Sequence, residues 1–189
     1  FLGRQKHLAT EWCGNLGPLD MNEYIANDGF KALKKCLEEK PECAIDTVTR
    51  SGLRGRGGAG FPTGMKWALV RAGKGDVRHI VCNGDEGDPG AFMDRMLLES
   101  YPYRVLEGLA IGAYAVGAAE GFLYIRAEYP LAVRRVREAI KTMEERGYLG
   151  RDMLGSGFGL TLSVVEGAGA FVAGEETALM AAIEGRRSM

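Results

Sequence analysis

The stretch GFLYIRAEYPLAVRRVREAIKTMEER, residues 121–146, changes its period part-way along. Gly121–Ala127 is a run of aromatic and branched apolar residues, the composition of a buried strand. From Leu131 to Arg146 the apolar residues recur at helical spacing. Val133, Val136, Ile140 and Met143 fall on one face, and Arg134, Arg137, Glu138, Lys141 and Glu144 on the other. The same alternation continues on both sides. RHIVCN (78–83) and FGLTLSVV (158–165) are two more strand candidates. PYRVLEGLAIGAYAVG (102–117) has proline at a plausible first helical position and a wide apolar stripe. Glu175–Glu184 predicts a last helix, ended by Gly185.

Strands that alternate with helices predict right-handed crossovers. The expected fold is α/β: a Rossmann-like, mainly parallel sheet with helices on both faces. Residues 1–45 look different and predict a helical N-terminal arm, with the α/β domain over 46–189. Within the arm, Glu23–Glu39 predicts one helix, interrupted by Gly29 and stopped by Pro41. Trp67–Arg71 reads as part of a short helix.

Composition narrows the function classes. Apolar residues make up 46% and charged residues 26%, ordinary for a globular domain. A net charge of −1 gives no support to general binding of nucleic acid or membrane surfaces. No apolar run approaches the roughly 20 residues of a membrane span, and the start lacks the apolar core of a secretory signal. The first residue is Phe1, so the numbering is expected to begin inside a longer chain. Cys13, Cys36, Cys43 and Cys82 form no CxxC pair. They predict reduced thiols in a cytoplasmic setting rather than a zinc ribbon.

In α/β sheets ligands sit beyond the carboxyl ends of strands, which draws attention to three loops. The first, SGLRGRGGAGFPTGMKW (51–67), holds six glycines in seventeen residues. Gly55, Gly57 and Gly60 satisfy G-x-G-x-x-G, a weak match, and the preceding DTVTRSG reads as a helix end rather than a strand. Gly64 and Lys66 are separated by Met65, so the loop is no Walker A motif. Its physical content stands without those motifs. Glycine amides can converge on an anion. Arg54, Arg56 and Lys66 add positive charge, and Phe61 offers a flat face. Such a set suits a nucleotide; a solvated surface loop is the plainer alternative.

The second loop, CNGDEGDPGAFMDR (82–95), places Asp85, Glu86 and Asp88 within four residues. Carboxylates repel phosphate, so these would take ribose hydroxyls, a ring N–H, or the cations of the first loop. A hard-cation site is the rival reading, although the spacing is not that of an EF-hand. The third, GAGAFVAGEETA (167–178), puts Glu175 and Glu176 at a helix start, where acids stabilise any helix through its dipole. His7 and His79 lie in no nucleophile motif, and no catalytic side chain is assigned. An elaborate nucleotide site with few acid–base groups predicts a cofactor that brings its own chemistry.

Together the three loops, with GAGAFVAGEETALMAAIEG (167–185) extending the third, resemble the NADH-accepting flavoprotein subunit of respiratory complex I. They are similar in particular to its relatives in soluble NAD(P)-linked hydrogenases and formate dehydrogenases, as is the N-terminal FLGRQKHLATEWCGNLGPLDMNEYIANDGFKAL. The resemblance implies an NAD(P)H dehydrogenase module. FMN is reduced by hydride from NADH or NADPH and passes electrons singly to iron–sulfur clusters. It implies that Gly55, Arg56, Gly57 and Lys66 hold the FMN phosphate region. Asn83, Asp85 and Glu86 would meet the ring edge and ribityl chain, and Phe171, Gly174, Glu175 and Glu176 would close the other side. NADH would lie along Gly58, Ala59 and Phe61, with Asp88 and Glu176 on its polar groups. No metal ligand is expected within the chain.

The chain departs from that family at Ala173, Phe171, Asp88 and Leu69, where relatives often carry Cys, Tyr, Glu and an aromatic residue. The family continues into a ubiquitin-like domain and a helical domain holding a four-iron cluster. The chain is therefore expected to be a fragment that ends before them. Implied partners are a thioredoxin-like two-iron subunit and a larger iron–sulfur, hydrogenase or formate dehydrogenase subunit, in the cytoplasm or peripheral to a membrane through a larger complex. A non-redox nucleotide- or anion-binding scaffold is the alternative of another class.

Overall fold

The computed structural model describes residues 2–4, 6–168 and 171–187. In chain order the helices and strands are α1 (Met21–Ala26), α2 (Lys31–Glu38), α3 (Pro41–Ser51), α4 (Thr63–Ala72), β1 (His79–Gly84), α5 (Met93–Ser100), α6 (Pro102–Val116), β2 (Glu120–Arg126), α7 (Pro130–Glu145), β3 (Thr161–Gly167) and α8 (Glu176–Ile183). Short 3-10 turns lie at Leu2–Arg4, Met153–Gly155 and Phe171–Gly174. The strands lie side by side in the order β1-β2-β3, and both pairs are parallel. Cys82, Leu123 and Val164 stand in register across the sheet.

Each strand is covered on two faces, which is why its sequence is nearly continuous in apolar residues. Ile80, Cys82, Leu123, Ile125, Leu162 and Val164 point into the main core with α5, α6 and α7. Val81, Tyr124 and Val165 point the other way, against Ala173 and the α8 residues Leu179 and Ile183. The predicted α/β architecture with helices on both faces is therefore present, and the three strands among the described residues are all parallel.

Two expectations need correction. The helix predicted over Glu23–Glu39 is broken into α1 and α2, with Asp28 and Phe30 at positive φ of 69° and 60°. The break turns the fully buried Phe30 ring inward, 4.9 Å edge-on from Tyr24 and 4.4 Å from Tyr148. Its backbone cost is offset by Glu107 of α6. That carboxylate accepts from Phe30 N (2.9 Å) and Leu33 N (3.2 Å), capping α2 from outside its own segment, and from the Tyr24 hydroxyl (2.5 Å). Second, Pro41 does not merely stop a helix; it opens α3 at the first helical position, as Pro102 and Pro130 open α6 and α7. Helix α5 begins inside the acidic loop read over 82–95, taking up its last three residues, and the sequence predicts no helix there.

The arm packs into the rest of the chain. Met21, Tyr24, Phe30 and Leu33 belong to the main core, and α3 runs continuously across residues 45 and 46.

Candidate functional site

The glycine loop between α3 and α4 is a closed turn. Gly55 N donates to Phe61 O at 2.9 Å and Thr63 N to Leu53 O at 3.0 Å, around an antiparallel bridge between Arg54 and Pro62. Gly57, Gly58 and Ala59 form an exposed tip, with Gly58 at φ 97° and Gly60 at φ 61°. Those left-handed values favour glycine, which has no Cβ to clash. Among the described residues no protein acceptor meets the amides of Gly57, Gly58 or Ala59. Arg54 does not reach outward: its guanidinium donates to the Gly60 carbonyl at 2.8 Å. Arg56 likewise turns back onto the Arg54 carbonyl. The tip thus presents free amides over a base braced by two arginines.

Gly64 sets the direction of the helix that follows. A Cβ there would lie 2.1 Å from Thr49 Oγ1 and 2.7 Å from the Thr49 Cα and N, so α4 crosses α3 backbone to backbone. This aims Lys66 and Trp67 at a cleft of about 360 Å³ between α4 and α8. Val81 and Asn83 of β1 line it, with Glu176, Leu179 and Met180 of α8 opposite. Across it Lys66 Nζ lies 3.0 Å from Glu176 Oε1. Phe61 stands on the returning arm of the glycine loop, 45% exposed.

The acidic loop follows the carboxyl end of β1 and divides its carboxylates among different tasks. The Asn83 amide donates to the Gly174 carbonyl at 2.8 Å, and its oxygen accepts from Asp85 N at 3.1 Å. The Asp85 side chain is only 1% exposed, and among the described residues neither carboxylate oxygen accepts a hydrogen bond. Its nearest cation is Arg126, with Nε 3.7 Å away. Burial pushes its pKa up, Arg126 opposes that, and Glu128 adds to it. Asp85 lies beneath the Phe171–Gly174 turn, since a Cβ on Gly174 would come 3.1 Å from its carbonyl oxygen. It is not among the residues lining the cleft.

Glu86 caps α5: its carboxylate accepts from Asp94 N at 3.0 Å and Arg95 N at 3.2 Å. Asp88 is exposed, in a turn closed by Ala91 N on its carbonyl at 3.1 Å. Glu175 is the N-cap of α8, accepting from Thr177 N at 3.0 Å and Ala178 N at 3.1 Å, which holds its carboxyl below the usual range. The two adjacent acids therefore differ: Glu175 serves the helix and Glu176 faces the cleft. The Phe171 side chain lies outside the described residues.

Among the described residues no group of three or more His, Cys, Asp or Glu side chains gathers where a metal ion could sit. All four cysteines are free. His79 stands 3.6 Å from Glu120, and His7 bonds Thr10 at 3.2 Å. No described helix is long and apolar enough to cross a membrane. Sequence reasoning missed Arg126, whose only signal is a charge closing the apolar run EGFLYIR at a strand's carboxyl end.

Residues 48–189, most of the chain and all three loops, match the family described as the Nuo51 FMN-binding domain. The chain belongs to that family. Its relatives agree with the match. The HndC component of the NADP-reducing hydrogenase of Solidesulfovibrio fructosivorans is 52% identical over 97% of this chain and 37% of its own length. A component of the NADH-quinone oxidoreductase of Aquifex aeolicus (strain VF5) is 48% identical over 88% of this chain and 39% of its own. An NAD+-reducing NiFe hydrogenase, solved in its H2-reduced state, superposes with a TM-score of 0.77 at 32% identity. It covers 98% of this chain and 29% of the other. The chain thus spans about two fifths of the curated relatives it matches. Both of these Nuo51-related proteins are named as subunits of larger enzymes.

Proposed function

We propose that this chain binds FMN and carries the NAD(P)H-oxidising step of an electron-input flavoprotein. The observation that carries the reading is the meeting of the glycine-loop helix and α8 across one cleft, through Lys66 and Glu176. The residues present suit FMN on two counts. The tip amides of Gly57, Gly58 and Ala59 are open to an anion. Among the described residues no donor meets the buried Asp85 carboxylate, and a hydroxyl-rich ribityl chain would supply donors.

In this reading Gly55, Arg56, Gly57 and Lys66 hold the phosphate region. Asn83, Asp85 and Glu86 serve the ribityl chain and ring edge, and Phe171, Gly174, Glu175 and Glu176 form the far wall. Gly58, Ala59, Phe61, Asp88 and Glu176 receive the nicotinamide nucleotide. Bound FMN would supply hydride acceptance and single-electron release. The protein's own task is alignment and exclusion of water. Lys66 need not wait unpaired for its anion: an exposed ion pair holds roughly 0–1 kcal/mol, so a phosphate displaces Glu176 at little cost. Electrons would leave to iron–sulfur clusters outside this chain, a four-iron cluster of the same subunit and a two-iron cluster of a thioredoxin-like partner. A larger hydrogenase, formate dehydrogenase or respiratory assembly in the cytoplasm would receive them.

The test is optical. The purified protein is mixed with FMN, freed of excess, and its visible flavin band recorded before and after anaerobic NADH or NADPH. Retained colour that bleaches is the expected result. Colour that neither nucleotide bleaches points to a binding domain without the redox step. Failure to retain FMN in both this chain and one extended at its carboxyl end overturns the reading.

A further inference from the structure

The acidic loop after β1 is held by side chains that the three loop motifs do not contain, Arg126 above all. Arg126, the last residue of β2, is 14% exposed and spreads its guanidinium over three oxygens. Nη1 donates to the Glu86 carbonyl at 2.6 Å. Nη2 pairs with Glu128 Oε2 at 2.6 Å. Nε faces Asp85 Oδ1 at 3.7 Å and, like both Asp85 oxygens, is buried without a hydrogen bond among the described residues. The Tyr129 ring lies 6.0 Å from the guanidinium, and its hydroxyl is 3.4 Å from the same Glu86 carbonyl.

We propose that Arg126 is the positioning residue of the flavin site, fixing the acidic loop and keeping the Asp85 carboxylate ionised and oriented for the ligand's hydroxyl donors. This rests on the FMN reading above. The geometry separates Arg126 from a general packing residue. Two arms of the fork are satisfied by the loop backbone and by the β2–α7 turn, which holds the guanidinium still. The third arm is left 3.7 Å short of Asp85. A buried guanidinium and carboxylate that face each other without bonding are costly, because each has lost its water. Such a pair persists where something else completes it, and the hydroxyl groups of a ligand reaching Asp85 would donate to its carboxylate oxygens. The charged and titratable groups acting on Asp85 are Arg126, Glu128 and the Tyr124 phenol on β2. Arg126 alone among them favours the ionised form.

The experiment is FMN titration, followed by flavin fluorescence across acid to neutral pH, on the wild type and on Arg126→Gln, Arg126→Lys, Asp85→Asn and the Asp85→Asn/Arg126→Gln double variant. In the wild type, affinity should vary little over the neutral range. Arg126→Gln should weaken binding by about ten-fold, the lower end for outer partners of ligating groups at metal sites. It should also make affinity fall as the solution is acidified, because Asp85 then takes up a proton in the empty site. Arg126→Lys keeps the charge but not the fork, so it should restore the flat profile with weaker affinity. The double variant should bind no worse than Asp85→Asn alone, since Arg126 acts through Asp85. Circular dichroism checks folding, and Arg126→Lys carries the test if the glutamine variant does not fold. Wild-type-like affinity and pH profile in the Arg126 variants, or additive losses in the double variant, overturn the inference while FMN binding stands. Absence of FMN binding by the wild type and by the extended chain removes the functional reading and this inference with it.

Discussion

Lys66 and Glu176 are 110 residues apart in sequence and 3.0 Å apart in space, and their ion pair closes the cleft between α4 and α8. Both side chains are more than half exposed, so the pair contributes little to stability. Its value lies in placing one positive charge in the cleft at the end of the glycine-loop segment. Lys66→Met should leave thermal unfolding nearly unchanged and weaken FMN binding by about ten-fold or more, the 1.4 kcal/mol scale of one lost charge-assisted contact. Glu176→Gln should leave FMN affinity equal or tighter while raising the KM for NADH, since it frees Lys66 but removes a nucleotide contact. Fluorescence titration and steady-state kinetics separate the two.

Gly64→Ala tests whether the glycine loop's exit is a packing constraint. The new methyl would overlap the Thr49 hydroxyl and, at 2.7 Å, the Thr49 backbone. Overpacking of this kind costs about 1–3 kcal/mol, read as a drop in the urea midpoint. Adding Thr49→Ala should recover only part of the loss, because the clash with the Thr49 Cα and N remains. Full recovery would mean that only the side chains collide.

What could be read from the sequence follows from where the deciding contacts lie. The strands and α7 are legible because burial on two faces, or on one, writes itself into consecutive residues. Helix α5 is not, because its cap, Glu86, stands seven residues before its first residue and reaches forward across the intervening turn. The break between α1 and α2 is marked locally by Gly29 alone, and what holds it, Glu107, stands 77 residues beyond Phe30. The same holds in the site. The three loops stand out as motifs, and Lys66 and Glu176 are visible within them. The division of labour among neighbouring acids is not visible, since Glu175 and Glu176 differ only in which way each points. Arg126 escapes because it sits at the end of a strand that reads as ordinary core.

Glu175 makes that division testable by pH. Hydrogen bonds from the Thr177 and Ala178 amides, the largest causes, hold its pKa below the ordinary glutamate value. A depressed carboxyl contributes stability above its unfolded pKa, and that contribution is lost as pH falls through the lower folded value. Protection of the first-turn amides of α8, taken relative to their intrinsic exchange rate at each pH, should therefore fall on acidification in the wild type. Glu175→Ala should show low protection at every pH, while Glu176→Gln keeps the wild-type profile. A wild-type profile in Glu175→Ala would place the cap elsewhere.

Asp85 should show the opposite sign. Burial raises its folded pKa, with Arg126 opposing and Glu128 adding. A carboxyl whose folded pKa lies above its unfolded value binds its proton more tightly when folded. Its ionisation therefore costs stability, and the protein loses ground as pH rises between the two values. Asp85→Asn removes the buried charge, so the ligand-free protein should gain stability, by about 1 kcal/mol on the scale of one poorly satisfied buried group. The gain should appear at neutral pH and vanish in acid, where the wild-type carboxyl is already protonated. The same variant should bind FMN more weakly. A side chain whose removal stabilises the empty protein and harms binding is retained for the ligand rather than the fold. Urea melts of ligand-free wild type and variant at acid and neutral pH, set beside FMN titrations, decide it. A variant that loses stability at neutral pH would show that the Asp85–Arg126 pair holds the fold together without a ligand.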